Sequence, residues 1–229
     1  MKERGILFSS PMVRANRAGL KSQTRRTRGL DKINEAPEEW RVLYSAGIDN
    51  AWWTFARGEA VEKIRNPYGL PGDILWSREA WKRGEDGAVY YRADNHIDVK
   101  GWPWKPGIHM FRKDSRDSYE VVSVRPERLQ EIPEEDAIAE GLTALEGRER
   151  ANWGPGEFGY TGMNLGFYHV AQGHRRVCCC NEGRELNLLP SICAYRELWE
   201  SINGPGSWAK NPWCWRIEYK PLSPEGQEL

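Results

Sequence analysis

Apolar residues in this chain come in short groups, punctuated by glycine and proline, and few groups sustain one period for long. Residues 5–8 predict a first strand. Ser9 or Ser10 can cap a helix with Pro11 in its first turn, and Met12, Val13 and Ala15 give that helix a modest apolar face. Gly19 is the expected left-handed stop. Lys21 then falls in a connection, and residues 23–28 read as extended, with Thr24 and Arg26 on one face by the two-residue period of a strand.

Residues 29–70 are polar with scattered Trp40, Trp52, Trp53 and Phe55, and predict a loop with short helices. A turn at 69–73 leads into a predicted strand over 74–81, with 88–92 as its partner. Gly101, Pro103, Pro106 and Gly107 mark 94–107 as a loop. Residues 118–124 have the strongest β-branched content. Pro133 and three carboxylates open a helix that carries Glu140 in its last turn and is closed by Gly141. Residues 143–191 are Gly-rich and weakly periodic. A second amphipathic helix is expected over 194–202, with Tyr195, Leu198, Trp199 and Ile202 at helical spacing, and a last strand over 212–219 alternates Trp213, Trp215, Ile217 and Tyr219. Many strands, few helices and Gly/Pro turns predict an α+β protein built on a small mixed β-barrel with flanking helices.

The 229 residues suffice for one sizeable core, and with no internal repeat or linker they are expected to form one domain. The net charge is zero, so a general polyanion binder is not implied. Residues 1–28 nevertheless carry eight lysines and arginines against Glu3 alone, which points to a phosphate-bearing or nucleobase-type ligand. The 12 tryptophans read mainly as packing in an irregular core, with base stacking as the alternative. No apolar run reaches membrane-span length, and the five cysteines make an odd, late cluster; a cytoplasmic protein with no membrane partner is expected. Cys178, Cys179, Cys180 and Cys193 with His169 and His174 invite a zinc reading, but adjacent cysteines suit one tetrahedral ion poorly and no C-x-x-C pair is present, so no metal is expected. No nucleotide or dinucleotide fingerprint occurs, so no cofactor is expected.

Gly19-x-Lys21-x-x-Thr24-x-Arg26 resembles the signature of the ASCH superfamily, which is related to PUA domains. Gly72-Asp73-x-Leu75, the strand through Val121–Val124 leading to Ala137-x-x-Glu140-Gly141, and Asn211-Pro212-Trp213 through Tyr219 resemble its other elements, in order. Residues 2–13 and Leu198-Trp199-Glu200-Ser201-Ile202-Asn203-Gly204 are similar to a bacteriophage-borne group of ASCH-like proteins, which would place the chain in a bacterial host cell. The resemblance makes segments 29–70, 84–116 and 143–193 insertions in a PUA-like barrel. It implies amide hydrolysis of an N4-acylated cytidine-type nucleoside or base, with Thr24 as nucleophile, Lys21 as base and Glu140 as acid.

The residues leave plainer alternatives open. Lys21-x-x-Thr24 alone is an ordinary surface pattern, and Glu140 alone a solvated helix residue. Chemically, Lys21 serves as a base only if burial and nearby cations depress its pKa from about 10.4. Glu140, near the negative end of its helix, is expected to have a raised pKa suited to proton donation. Arg25 and Arg26 are substrate-binding candidates; so are Trp76, Arg78 and Glu79, where Glu79 lines the cleft as a second acid or pairs with Arg78 or Lys82. The competing functions are an RNA- or DNA-binding PUA-like module and a nuclease using the same basic cleft.

Overall fold

The computed structural model describes residues 1–45, 51–94, 103–144, 159–161, 168–172, 175–178 and 189–222. In chain order, β1 (Glu3–Leu7) leads into α1 (Ser10–Arg17) and β2 (Gln23–Arg26). A meander follows: β3 (Arg41–Ser45), β4 (Trp52–Arg57) and β5 (Ala60–Arg65). Then come β6 (Ile74–Arg78), the hairpin of β7 (Trp81–Arg83) and β8 (Val89–Tyr91), the long β9 (Ser118–Arg128) and α2 (Glu134–Ala139). Short strands β10 (Thr143–Ala144), β11 (Gly159–Thr161), β12 (Tyr168–Gln172) and β13 (Arg175–Cys178) precede α3 (Pro190–Asn203) and β14 (Trp213–Pro221).

Strands outnumber helices, so the α+β class stands. The principal sheet has the order β1-β6-β9-β14-β2, with β1 parallel to β6 and the other pairs antiparallel. Among the described residues it is open, with β1 and β2 at its edges, and the sheets are not closed into the expected barrel.

The alternation of β14 fixes its two faces. Trp215, Ile217 and Tyr219 are almost fully buried in the apolar core, where the Tyr219 ring lies 5.0 Å from that of Tyr119. Arg216 points the other way and reaches Asp136 of α2, while the Cys214 thiol lies against the Glu127 carbonyl of β9. One strand thus separates a dry core from a buried ionic layer.

Several expected boundaries move for local reasons. β9 runs past Val124 and through Pro126 to Arg128, because β6 pairs only with Ser118–Glu120 and leaves the far half of β9 free on that side. A proline without an N–H is tolerated there. The strand expected over 74–81 is two strands. β6 ends at Arg78, whose carbonyl accepts from Phe8 N at 3.0 Å, and only Trp81–Arg83 pairs with Val89–Tyr91. Gly107 packs into the break: a Cβ there would meet the Arg78 carbonyl oxygen at 2.9 Å.

The segment expected as a loop at 29–70 instead holds the β3–β4–β5 meander. Its sequence hid the strands because β5 buries none of its residues, so no clean alternation survives. The described parts of 143–193 likewise contain strands, ordered β10-β11-β12-β13. The second helix starts at Pro190, four residues earlier than expected, and Ile202 is 55% exposed rather than part of the buried stripe. Among the described residues no helix is long and apolar enough to cross a membrane.

Candidate functional site: a buried ion network beside a small cavity

Gly19, at φ +70°, ends α1 and lets the chain turn into Lys21. Lys21 forms an isolated antiparallel bridge with Glu140, and Ser22 N donates to Ala139 O at 3.0 Å. The C-terminal end of α2 is thereby fastened alongside the start of β2. Gly141, at φ +97°, turns the chain away immediately afterwards.

The side chains follow from this docking. Lys21 Nζ donates to Glu140 Oε2 at 2.7 Å and to the Glu140 carbonyl at 2.8 Å. The ammonium thus meets both its counter-charge and a helix-terminal carbonyl, where a cation is favoured. Arg25 Nη1 donates to Glu140 Oε1 at 3.2 Å, its Nη2 to Asp136 Oδ2 at 2.8 Å and its Nε to Glu127 Oε1 at 2.7 Å. Arg216 Nε reaches Asp136 Oδ2 at 2.7 Å, and Gln23 Nε2 donates to Asp136 Oδ1 at 2.9 Å. Tyr195 completes the set by donating its hydroxyl to Glu140 Oε1 at 3.4 Å. Lys21, Arg25 and Arg216 balance Glu127, Asp136 and Glu140, so the layer carries no net charge although the Lys21, Arg25 and Glu140 side chains are only 1%, 0% and 5% exposed.

A cavity of about 240 Å³ opens against this network. Lys21, Thr24 and Glu140 all line it, together with Arg25, Arg26 and Arg28. The opposing wall is the α3 stripe of Tyr195, Leu198, Trp199 and Ile202. Five consecutive residues, from Thr24 to Arg28, face the space, which is what the open side of an edge strand presents. Thr24 is buried on the Ile217 side of β2, and its neighbour Arg25 lies on the α2 side. The volume is below the roughly 300–1,000 Å³ of drug-sized sites and suits a single base better than a polymer.

Burial drives the Lys21 amine below the ordinary lysine range, against the pull of Glu140, and Arg26 and Arg25 add to the depression. Burial pushes the Glu140 carboxyl up, but Lys21 and Arg25 outweigh it and hold the group below the usual range. The raised pKa expected from the helix dipole is therefore not what the site produces: two cations within 3.2 Å override the weaker field of a helix end. Asp136 behaves alike. Burial opposes its ionisation, yet Arg216, Gln23 and Arg25 bring its pKa from 3.8 to about 2. A carboxyl depressed on folding stabilises above its unfolded pKa and loses that contribution as pH falls through the folded value. The urea-unfolding midpoint should accordingly drop between about pH 4 and pH 2, and Asp136→Asn should flatten that segment of the pH profile.

The remaining candidates lie elsewhere. Arg26 lines the cavity while its Nη2 donates to Leu7 O at 2.8 Å and its guanidinium lies 5.8 Å from the centre of the Phe8 ring. Trp76, Arg78 and Glu79 do not line it. Arg78 lies over Trp76 at 5.5 Å, and Glu79 takes a two-pronged contact from Arg116 at 2.9 and 3.1 Å, so its partner is neither Arg78 nor Lys82. Asp136, Glu127, Arg216 and Gln23 escaped the sequence reading. Asp136 was signalled by its i,i+4 spacing to Glu140, whereas the register of β14 against β2, which faces Arg216 with Arg25, has no local mark.

No three His, Cys, Asp or Glu side chains gather into a metal-holding group among the described residues. Cys193 and Cys214 are both buried, and the Cys214 thiol lies 3.5 Å from the Glu127 carbonyl oxygen. Cys179, Cys180 and His174, and the side chains of Cys178 and His169, lie outside the described structure, so the zinc reading is not addressed by it. Comparison of the chain with protein-family models, with curated proteins and with solved structures returned no match.

Proposed function

We propose that the chain is an ASCH-like, PUA-related amidohydrolase acting on an N4-acylated cytosine-type nucleoside or base. In this reading the open five-stranded sheet stands for the wall of the family's barrel. The observation that carries the proposal is the buried Lys21–Glu140 pair at 2.7 Å, lining one base-sized cavity with Thr24.

The chemistry begins from the ion pair. Passing one proton from Lys21 Nζ to Glu140 Oε2 leaves a neutral amine and a carboxylic acid. The dry surroundings favour that uncharged form, and Arg25 opposes it. Thr24 Oγ1 then attacks the acyl carbon and yields its proton to Lys21. Collapse of the tetrahedral intermediate breaks the C–N bond, and Glu140 gives its proton to the departing amine. Water cleaves the resulting threonyl ester, releasing the carboxylic acid, and the ion pair re-forms. The open edge of β2 leaves backbone N–H groups outside the ladder, available to an oxyanion.

Wild-type protein should release acetate from N4-acetylcytidine or a related acylated cytidine, and Lys21→Ala and Thr24→Val should each abolish release. Failure of the wild type across a panel of acylated cytidines rules hydrolysis out. A second reading, a pocket that holds such a base without cleaving it, is favoured by one observation: Lys21 Nζ donates to both the carboxylate and the carbonyl of Glu140, contacts that favour the ammonium form. Saturable binding of the acylated nucleoside without turnover would establish it.

A further inference from the structure

The outer face of the β3–β4–β5 meander belongs to neither the core nor the cavity. Strand register sorts its residues: Val42, Phe55 and Ile64 turn inward, with Phe55 packed edge-on to Trp213 at 5.4 Å. The opposite face carries Arg41 and Leu43 from β3, Trp52 from β4, and Val61, Lys63 and Arg65 from β5. All six are exposed, the Trp52 indole at 46%. Small, buried Thr54 and Ala56 occupy the centre, so the floor between the strands is low.

Among the described residues this face holds three cations and no carboxylate. Glu59 sits in the hairpin turn, and Glu62 lies on the inward side, where it pairs with Lys32. Arg41, Lys63 and Arg65 have no ion-pair partner among the described residues. Arg65 also borders a hollow of about 190 Å³ past the end of β5, lined by Lys2, Arg4 and Asp73, where Asp73 is paired with Arg4.

Scattered exposed aliphatic residues are ordinary on a protein surface. An exposed indole set among three unpaired cations is a more specific combination: it asks for a partner that is anionic and has open flat faces. A duplex offers phosphates but keeps its base faces stacked, and an acidic peptide offers charge without stackable rings. We infer that this meander face binds single-stranded nucleic acid, with Trp52 stacking a base and Arg41, Lys63 and Arg65 meeting phosphates. Such binding needs no chemistry at Lys21 and stands apart from the hydrolase reading.

The test is fluorescence anisotropy of the full chain with fluorescein-labelled oligonucleotides: a single-stranded RNA, a single-stranded DNA and a duplex. The single strands should bind with a Kd in the micromolar range at low salt, and more tightly than the duplex. Trp52→Ala should weaken binding by about five-fold or more. Replacing Arg41, Lys63 and Arg65 together with glutamine should reduce the slope of log K against log salt by about two units, from about 0.7 per phosphate contact on single strands. Equal affinity for RNA and DNA, or a preference for RNA, both support the inference and differ only in whether the 2′-hydroxyl is touched. Both variants alter exposed positions, so circular dichroism should match wild type, and hydrolysis of a free acylated nucleoside should be unaffected. No anisotropy change with either single strand up to about 100 µM protein at low salt overturns the inference. Binding that both variants leave unchanged overturns it equally.

Discussion

Arg25→Met is expected to be among the most destabilising single substitutions in this protein. The guanidinium has no exposed surface and contacts three carboxylates, those of Glu127, Asp136 and Glu140. Methionine fills much of the volume but leaves Glu127 with Arg125 alone, at 3.8 Å on the half-exposed side. Removing one member of a buried ionic set costs about 3–5 kcal/mol, a large share of the roughly 5–15 kcal/mol that holds a domain folded. Arg25→Lys should recover only part of this, because a point charge cannot span three acceptors as the planar fork does. The deficit should also shrink on mild acidification. Without the guanidinium the carboxyls titrate at higher pH, and their protonation relieves the repulsion among them. Urea denaturation at pH 7 and pH 4.5 reads both effects, and an Arg25→Met midpoint equal to wild type at pH 7 would mean that the three carboxylates do not depend on Arg25.

Glu140→Gln should have the largest effect on activity. It keeps the shape of the side chain and its contact with Tyr195 but removes both the proton donor and the counter-charge of Lys21. Loss of acid–base participation reduces kcat by about 10²–10⁴. The Lys21 amine, already depressed by burial, then keeps the repulsion of Arg26 and Arg25 without the opposing Glu140 charge and falls further. A buried lysine depressed on folding destabilises at pH values below its folded pKa, and stability returns as pH rises toward the unfolded value of about 10.4. The variant should therefore be more stable at pH 10 than at pH 7, by a wider margin than wild type. Retained turnover in Glu140→Gln would remove Glu140 from the mechanism and leave it a structural partner of Lys21.

How much of this was legible depended on whether the signal was local. Gly19 as a helix stop, Pro133 at the head of α2 and the alternation of Trp213, Trp215, Ile217 and Tyr219 are short-range marks, and each element formed where they placed it. The convergence of Lys21 with Glu140 was suggested by resemblance rather than by periodicity, since 119 residues separate them. The protonation of Glu140 was misjudged because a helix dipole is visible in sequence while a guanidinium arriving from a neighbouring strand is not. The meander was missed for a related reason. A sheet that buries Phe55 on one side and shows Arg41, Lys63 and Arg65 on the other reads as a polar stretch with occasional aromatics.

The placement of β14 between β9 and β2 also sets when the pocket comes into being. A ribosome adds about 5–20 residues per second, so Thr24 and Arg25 are made roughly ten seconds or more before the strand that flanks them. Until then β2 has no ladder, Asp136 lacks Arg216, and the α3 wall has only just been synthesised. Nascent chains carry the motif long before they carry the cavity, and whatever chemistry resides there is withheld until residues 190–221 have left the ribosome.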